Sequence, residues 1–214
     1  MKSGILIFLI AYLLGSIPFG YLLVRVTQGT DIRKQGSGNI GATNVFRKSR
    51  WAGILTLLLD GGKGYLAVSI AGWMGADPAW KAIAALGAIL GHVFTVWLQF
   101  KGGKGVATGA GSYLAVCPAA VVTTLALFSA VVLITRYISL ASVLATAAFP
   151  LWALLYGEPI AVVLWGVAGC IVIIVKHHEN IRRLLRGTEN RFALGNRQKQ
   201  AARGGIDANQ QGTA

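Results

Sequence analysis

Three short polar stretches hold most of the residues in this chain that could do chemistry. The first reads G-S-G-N-I-G-A-T-N-V-F-R at 36–47. Its opening satisfies G-x-G-x-x-G, the fingerprint of a dinucleotide-binding loop, but such a loop joins a strand to a helix inside a βαβ unit. Here Asp31-Ile32-Arg33-Lys34-Gln35 precedes it, between long apolar blocks, with no room for a sheet. What remains is a loop in which Gly36 and Gly38 let backbone amides approach a ligand, with Ser37, Asn39, Thr43 and Asn44 around them. Amides in such turns can form an anion nest, and Arg47 would add a two-pronged contact to a phosphate. A plain turn into an Asn- or Thr-capped helix, with Arg47 as a membrane-surface anchor, fits the same letters. The loop alone leaves both readings open.

The second stretch is F-K-G-G-K-G-V-A-T-G at 100–109. It is not a Walker A loop, which needs Lys followed directly by Ser or Thr. It does place Lys101 and Lys104 among Gly102, Gly103 and Gly105 at the expected start of a helix, where free N–H groups and the helix dipole favour an anion. A simple basic turn rarely needs so much backbone freedom. The third stretch is K-H-H-E-N-I-R-R-L-L-R-G-T-E at 176–189. Helical spacing puts His177 and Asn180 three apart, able to face one ligand. Ile181, Leu184 and Leu185 share a face, Arg182, Arg183 and Arg186 suit a helix at the lipid surface, and Gly187 ends it.

Other chemistries lack their patterns. His177-His178-Glu179 is not H-E-x-x-H, and no Cys or His spacing suits zinc, so no metal site is expected. No D-x-x-D, H-x-x-x-x-D or G-x-S-x-G occurs. Asp60 and Lys63 fall inside an apolar block, where ionised groups are costly, and are expected to pair with each other or with the polar face. His92 lies close to the second stretch and either lines a site or bonds a backbone group.

The elements that must position these residues are membrane helices. Of 214 residues, 55% are hydrophobic and 13% charged, about half the usual charged share, and mean hydropathy is +0.62. Apolar blocks run over 5–24, 51–73, 80–98, 106–134, 138–156 and 159–175. Most match a hydrocarbon core of about 30 Å. The first is too long for a signal core and no small-residue cleavage site follows it, so it reads as a retained span. Residues 106–134 are too long for one upright helix, and Cys117-Pro118 offers a break. Lys and Arg number 20 against 7 Asp and Glu. Splitting at Pro118 gives seven spans and puts Arg25–Arg50, Lys101, Lys104, Arg136 and the basic segment from Lys176 on one side, as the positive-inside rule requires. The expectation is an all-α polytopic membrane bundle of about seven transmembrane helices, amino terminus outside and carboxyl terminus cytoplasmic. Residues 1–192 form one domain, and 193–214 a polar, disordered tail. The three polar stretches then face the cytoplasm together. A transporter would instead hold its charges near the midplane at broken helices.

Taken in order, D-I-R-K-Q-G-S-G-N-I-G-A-T-N-V-F-R at 31–47, L-D-G-G-K-G at 59–64, G-H-V-F at 91–94, F-K-G-G-K-G-V-A-T at 100–108, R-Y-I-S-L-A-S at 136–142 and the 176–189 stretch resemble the bacterial acyl-phosphate-dependent glycerol-3-phosphate acyltransferases. The motifs span nearly the whole chain. The stretch between Arg47 and Asp60 has fewer glycines than that pattern. The resemblance implies an inner-membrane enzyme, its site facing the cytoplasm, that moves a fatty acyl group from acyl phosphate to the 1-hydroxyl of glycerol 3-phosphate. Lysophosphatidic acid and phosphate would be the products, in the first acylation of phospholipid synthesis. It further implies functional roles for Ser37, Asn44, Arg47, Lys101, Gly102 to Gly105, His177, Asn180 and Glu189. His177, Asn180 and Ser37 fall to the catalytic group, with His177 the base unless a substrate phosphate takes the proton. The substrate-binding group adds Gly36, Gly38, Asn39, Thr43 and Lys104. No cofactor is implied. The expected partners are the two substrates, membrane lipid and the enzyme that supplies acyl phosphate, with no nucleic acid.

Overall fold

The computed structural model of the protein describes residues 2–192. Among these, ten α-helices and two 3-10 turns follow one another with no strand. The polar stretch from residue 193 lies outside the described residues.

Proline and glycine set the breaks. α1 (Lys2–Ser16) and α2 (Phe19–Gln28) form one bent 25-residue rod over Gly4–Gln28, interrupted at Ile17-Pro18, where proline supplies no amide. Gly29 ends α2 in the left-handed conformation, φ 65°. A 3-10 turn at Ile32–Lys34 and the short α3 (Ala42–Lys48) carry the first polar stretch. α4 (Arg50–Trp73) runs straight through the Asp60/Lys63 region. Asp77 caps α5 (Pro78–Val93) by accepting from the Trp80 amide at 2.9 Å, with Pro78 at the first helical position, where its missing donor costs nothing.

The expected break at Pro118 is present. It separates α6 (Val106–Leu114) from α7 (Pro118–Thr135). α6 has nine residues, about 14 Å of rise, well short of a bilayer. It is short because the chain turns back before it. Gln99 and Phe100 both take positive φ after the 3-10 turn Val96–Leu98, and the Gly102 and Gly103 amides then donate to the carbonyls of Val93 and His92 at 3.0 Å each. Residues 101–105 thus descend along the end of α5, and α6 begins inside the protein. α8 (Ile138–Leu155) and α9 (Ile160–Val175) follow, and α10 (His178–Leu185) bends away from α9 by 58°.

Among the described residues five helical segments can cross a membrane by length and composition, and a sixth if α9 and α10 count together. The outer surface agrees, with Trp73, Leu133 and Ile134 among its largely exposed apolar side chains. α5 is central and packs against α1, α4, α6 and α9. Its buried Ala82, Ala84, Ala85 and Ala88 let neighbouring backbones come close. The Gly61-Gly62-Lys63-Gly64 run, which echoes the second polar stretch, serves the same end: a methyl on Gly64 would strike the Thr108 carbonyl, and one on Gly111 the Gly61 carbonyl.

Candidate active site

The three polar stretches meet in one open cavity of about 460 Å³. Ser37, Asn39, Thr43, Asn44 and Arg47 line it from the first, Lys104 and Gly105 from the second, and His177, Asn180 and Glu189 from the third. Ile54 and Leu57 of α4, with Leu125, Phe128 and Val132 of α7, make its apolar wall.

The first stretch is shaped by one side chain. The buried Asn44 donates from Nδ2 to the Gln35 and Asn39 carbonyls at 3.0 and 2.8 Å, and its Oδ1 accepts from the Ser37 amide at 3.1 Å. Gly36 and Gly38, at φ 57° and 70°, make the turn that this allows. The Gly38 amide bonds the Gln35 carbonyl and the Gly41 amide bonds Asn39 Oδ1. The expected anion nest is therefore largely closed by the loop's own acceptors. Arg47 and the side chains of Ser37 and Thr43 are what the loop offers the cavity.

In the second stretch the two lysines part. Lys101 stands exposed outside the cavity, while Lys104 is half-buried and donates to Asn180 Oδ1. Burial first, then the positive charges of Arg183 and Arg47, push the Lys104 ammonium down to about 8. Gly102 and Gly103 act through backbone position, since a methyl on either would strike His92.

The third stretch bends where it must. His177, 3% exposed, sits at the α9–α10 bend with Nδ1 2.8 Å from the Ile173 carbonyl oxygen. A carbonyl only accepts, so Nδ1 carries the hydrogen and Nε2 keeps its lone pair. Burial pushes the His177 pKa down to about 4, against the pull of the Ile173 carbonyl, so the ring is a neutral acceptor at pH 7. Asn180 links Lys104 to Glu189, donating to Oε1 at 2.7 Å. Glu189 also accepts from Ser139 at 2.8 Å and from Arg183 at 2.6 Å. Burial alone would raise its pKa, but those three hydrogen bonds hold the carboxyl below the usual range. With both oxygens engaged, Glu189 ties α10 to α8 and screens its charge from an anionic ligand.

A protein-family model described as glycerol-3-phosphate acyltransferase matches residues 5–187. The chain belongs to that family. A relative of that name from Geobacter sulfurreducens is 51% identical over 194 residues, 90% of this chain and 99% of its own. One from Geotalea daltonii is 47% identical over 193 residues, with 90% and 99% covered. The crystal structure of PlsY, an integral membrane glycerol 3-phosphate acyltransferase, in its glycerol 3-phosphate form superimposes with a TM-score of 0.85 at 40% identity, covering 89% of this chain and 96% of that one. A lysophosphatidic acid form gives 0.82 at 38%, with the same coverage. The protein is thus a multi-pass membrane acyltransferase of phospholipid synthesis.

In this acyltransferase Gly36, Gly38, Lys101, Gly102 and Gly103 are the expected site residues that do not line the cavity. Residues absent from the expected set do line it: Ser139, Ser142, Arg183 and Asp60; His92 lines it as well, one of the two roles open to it from sequence. Ser139 and Ser142 lie in the R-Y-I-S-L-A-S motif, which read as family resemblance without a role. Arg183 read as a lipid-surface cation, because nothing in sequence ties it to Glu189 six residues on.

Proposed function

We propose that the chain transfers a fatty acyl group from acyl phosphate to the 1-hydroxyl of glycerol 3-phosphate. The 1-hydroxyl oxygen bonds to the acyl carbonyl carbon, the carbon–oxygen bond to phosphate breaks, and inorganic phosphate leaves with the electron pair. The hydroxyl proton passes to Nε2 of His177, which is within the cavity, neutral and unprotonated. Lysophosphatidic acid is the product.

The observation that carries this reading is one cavity with two cationic positions and an apolar wall. Arg47 beside Ser37 and Thr43 suits one phosphate, and Lys104 at the start of α6 suits a second. Ile54, Leu57, Leu125 and Phe128 suit an alkyl chain entering from the bilayer between α4 and α7. The PlsY forms with glycerol 3-phosphate and lysophosphatidic acid support the acceptor and the product. Phosphate is a good leaving group, so the donor needs no strong acid in the site. Catalysis falls to Ser37, His177 and Asn180, the last through Lys104. The site faces the cytoplasm of a bacterial inner membrane, where the enzyme that makes acyl phosphate delivers it.

Purified protein incubated with glycerol 3-phosphate and synthetic acyl phosphate should form lysophosphatidic acid, with EDTA present or absent. Acyl-coenzyme A alone should give none. Sustained turnover with acyl-coenzyme A alone would overturn the donor.

A further inference from the structure

A second cavity, of about 70 Å³, adjoins the main one deeper in the bundle. The two share Val106, Ala110, Leu125, Phe128 and Ser142 in their linings. From these residues the inner pocket continues in one direction on each helix. Its lining moves on to Tyr113 along α6, back to Val121 along α7, and on to Phe149 along α8. α6 and α8 run away from the three polar stretches and α7 returns toward them, so every step leads toward the Pro118 end. Ser142 and Phe149 are two helical turns apart on α8, about 10 Å of rise.

Among the described residues no charged side chain lines this pocket. The buried Asp60–Lys63 ion pair, 2.8 Å apart, sits on α4, which contributes nothing to the lining. Two of the pocket's hydroxyls are spent on their own helices. Thr124 donates to the Ala120 carbonyl at 2.8 Å, and Ser142 to the Ile138 carbonyl at 2.9 Å. A hydrocarbon segment loses nothing by entering such a place, whereas a polar group would leave hydrogen bonds behind. Glycines keep the space open. A methyl on Gly109 would lie 3.1 Å from Ile173 Cδ1, and one on Gly169 3.0 Å from Ile89 Cδ1. Tyr113 and Phe149, their ring centroids 4.6 Å apart, stand at the far end with Val121.

We propose that this inner pocket takes the methyl end of the transferred acyl chain and sets which chain lengths the enzyme accepts, with Tyr113, Val121 and Phe149 as its floor. The proposal rests on the acyl-transfer reading of the main cavity, whose apolar wall at Leu125 and Phe128 leads into it. A lipid tail gains little from burial alone here, because hydrocarbon surrounds it in the bilayer as well. Fit therefore decides. A chain too long meets the floor and must fold back, and one too short leaves a space without contacts.

Ala145 is buried, lines the inner pocket and does not line the main cavity. Purified enzyme in vesicles is given glycerol 3-phosphate and an equimolar mixture of lauroyl, palmitoyl, stearoyl and behenoyl phosphates. Mass spectrometry reads the ratios of the products, which do not depend on how much enzyme has folded. Relative to wild type, Ala145→Leu should lower the ratio of stearoyl to lauroyl product about tenfold. Phe149→Ala removes part of the floor and should raise the share of the longest product by a similar factor. Gly169→Ala, a single added methyl, serves where the larger filling does not fold and should shift the ratio in the same direction as Ala145→Leu. Unchanged ratios in variants that still form lysophosphatidic acid would overturn the proposal and leave acyl transfer standing. Should coenzyme A thioesters prove to be the donors, the same chain lengths are compared as thioesters, so the two readings fail separately.

Discussion

His177 has the state that a base needs: a hydrogen held on Nδ1 by Ile173 and a free lone pair on Nε2. His177→Ala should lower kcat by about 10²–10⁴ with little change in KM, measured at matched membrane insertion. If most of kcat survives, a substrate phosphate takes the proton instead. Burial of the neutral ring also couples to stability. The folded pKa of about 4 lies below the ordinary 6.5, so between those values the unfolded chain binds more protons. Stability then rises with pH across that window and is lost on acidification, by about 3 kcal/mol from this group. Thermal unfolding in detergent at pH 7 and pH 5 should show a smaller drop for His177→Gln than for wild type; equal drops would remove His177 as the cause. At this scale the sequence disclosed which residues gather and less of what each does. Asn44, Glu189 and Lys101 have the right types, but Asn44 is turned inward by loop groups up to 12 residues away, Glu189 by side chains that include Ser139, 50 residues away, and Lys101 is left outside by the backbone turn of 99–103 against the end of α5. The Lys63–His92 contact joins residues 29 apart, and no local spacing rule reaches that far.

Helix packing distinguishes two glycines only two positions apart on α4. A methyl on Gly62 meets nothing within 4 Å, so Gly62→Ala should stabilise by about 0.5–1 kcal/mol through helix propensity. A methyl on Gly64 strikes the Thr108 carbonyl and lies 2.7 Å from Ser112 Oγ. Gly64→Ala should cost about 1–3 kcal/mol by forcing α6 from α4. Melting temperatures of the two purified variants should move in opposite directions, by a few degrees each; both rising would show that α6 does not need the contact. Helix positions were largely legible from the apolar blocks and Pro118, because proline and hydrophobic length act locally. The length of α6 was not. It depends on residues 101–105 turning back along α5, which rests on positive φ at Gln99 and Phe100, and neither residue type announces such a conformation.

For the whole molecule, side-chain contacts sort the connections into two ends. At one, Trp80 packs on Gly4 and Tyr156 bonds Thr123 at 2.8 Å, which groups the start of α1 with residues 74–80, 115–123 and 156–159. At the other, Lys104 meets Asn180, Ser139 meets Glu189, and the Phe192 amide bonds the Arg136 carbonyl at 2.7 Å. Arg33, Lys34, Arg47, Lys48, Lys101, Arg136, Lys176, Arg182 and Arg186 belong to this second end, while Asp77 and Glu158 lie at the first. On the positive-inside rule the proposed orientation has this second end in the cytoplasm. α6 decides the parity: it is too short to span alone, and only if it carries the chain across together with the 101–105 segment do the expected seven traversals separate the amino terminus from the 176–192 segment. In a variant with Cys117 and Cys170 replaced, Lys101→Cys should react with a membrane-impermeant thiol reagent only from the cytoplasmic side, and Glu158→Cys only from the outside. Labelling of both from one side would mean that the chain does not cross between residues 101 and 118, which would break the convergence of the three motifs on which the proposed chemistry depends.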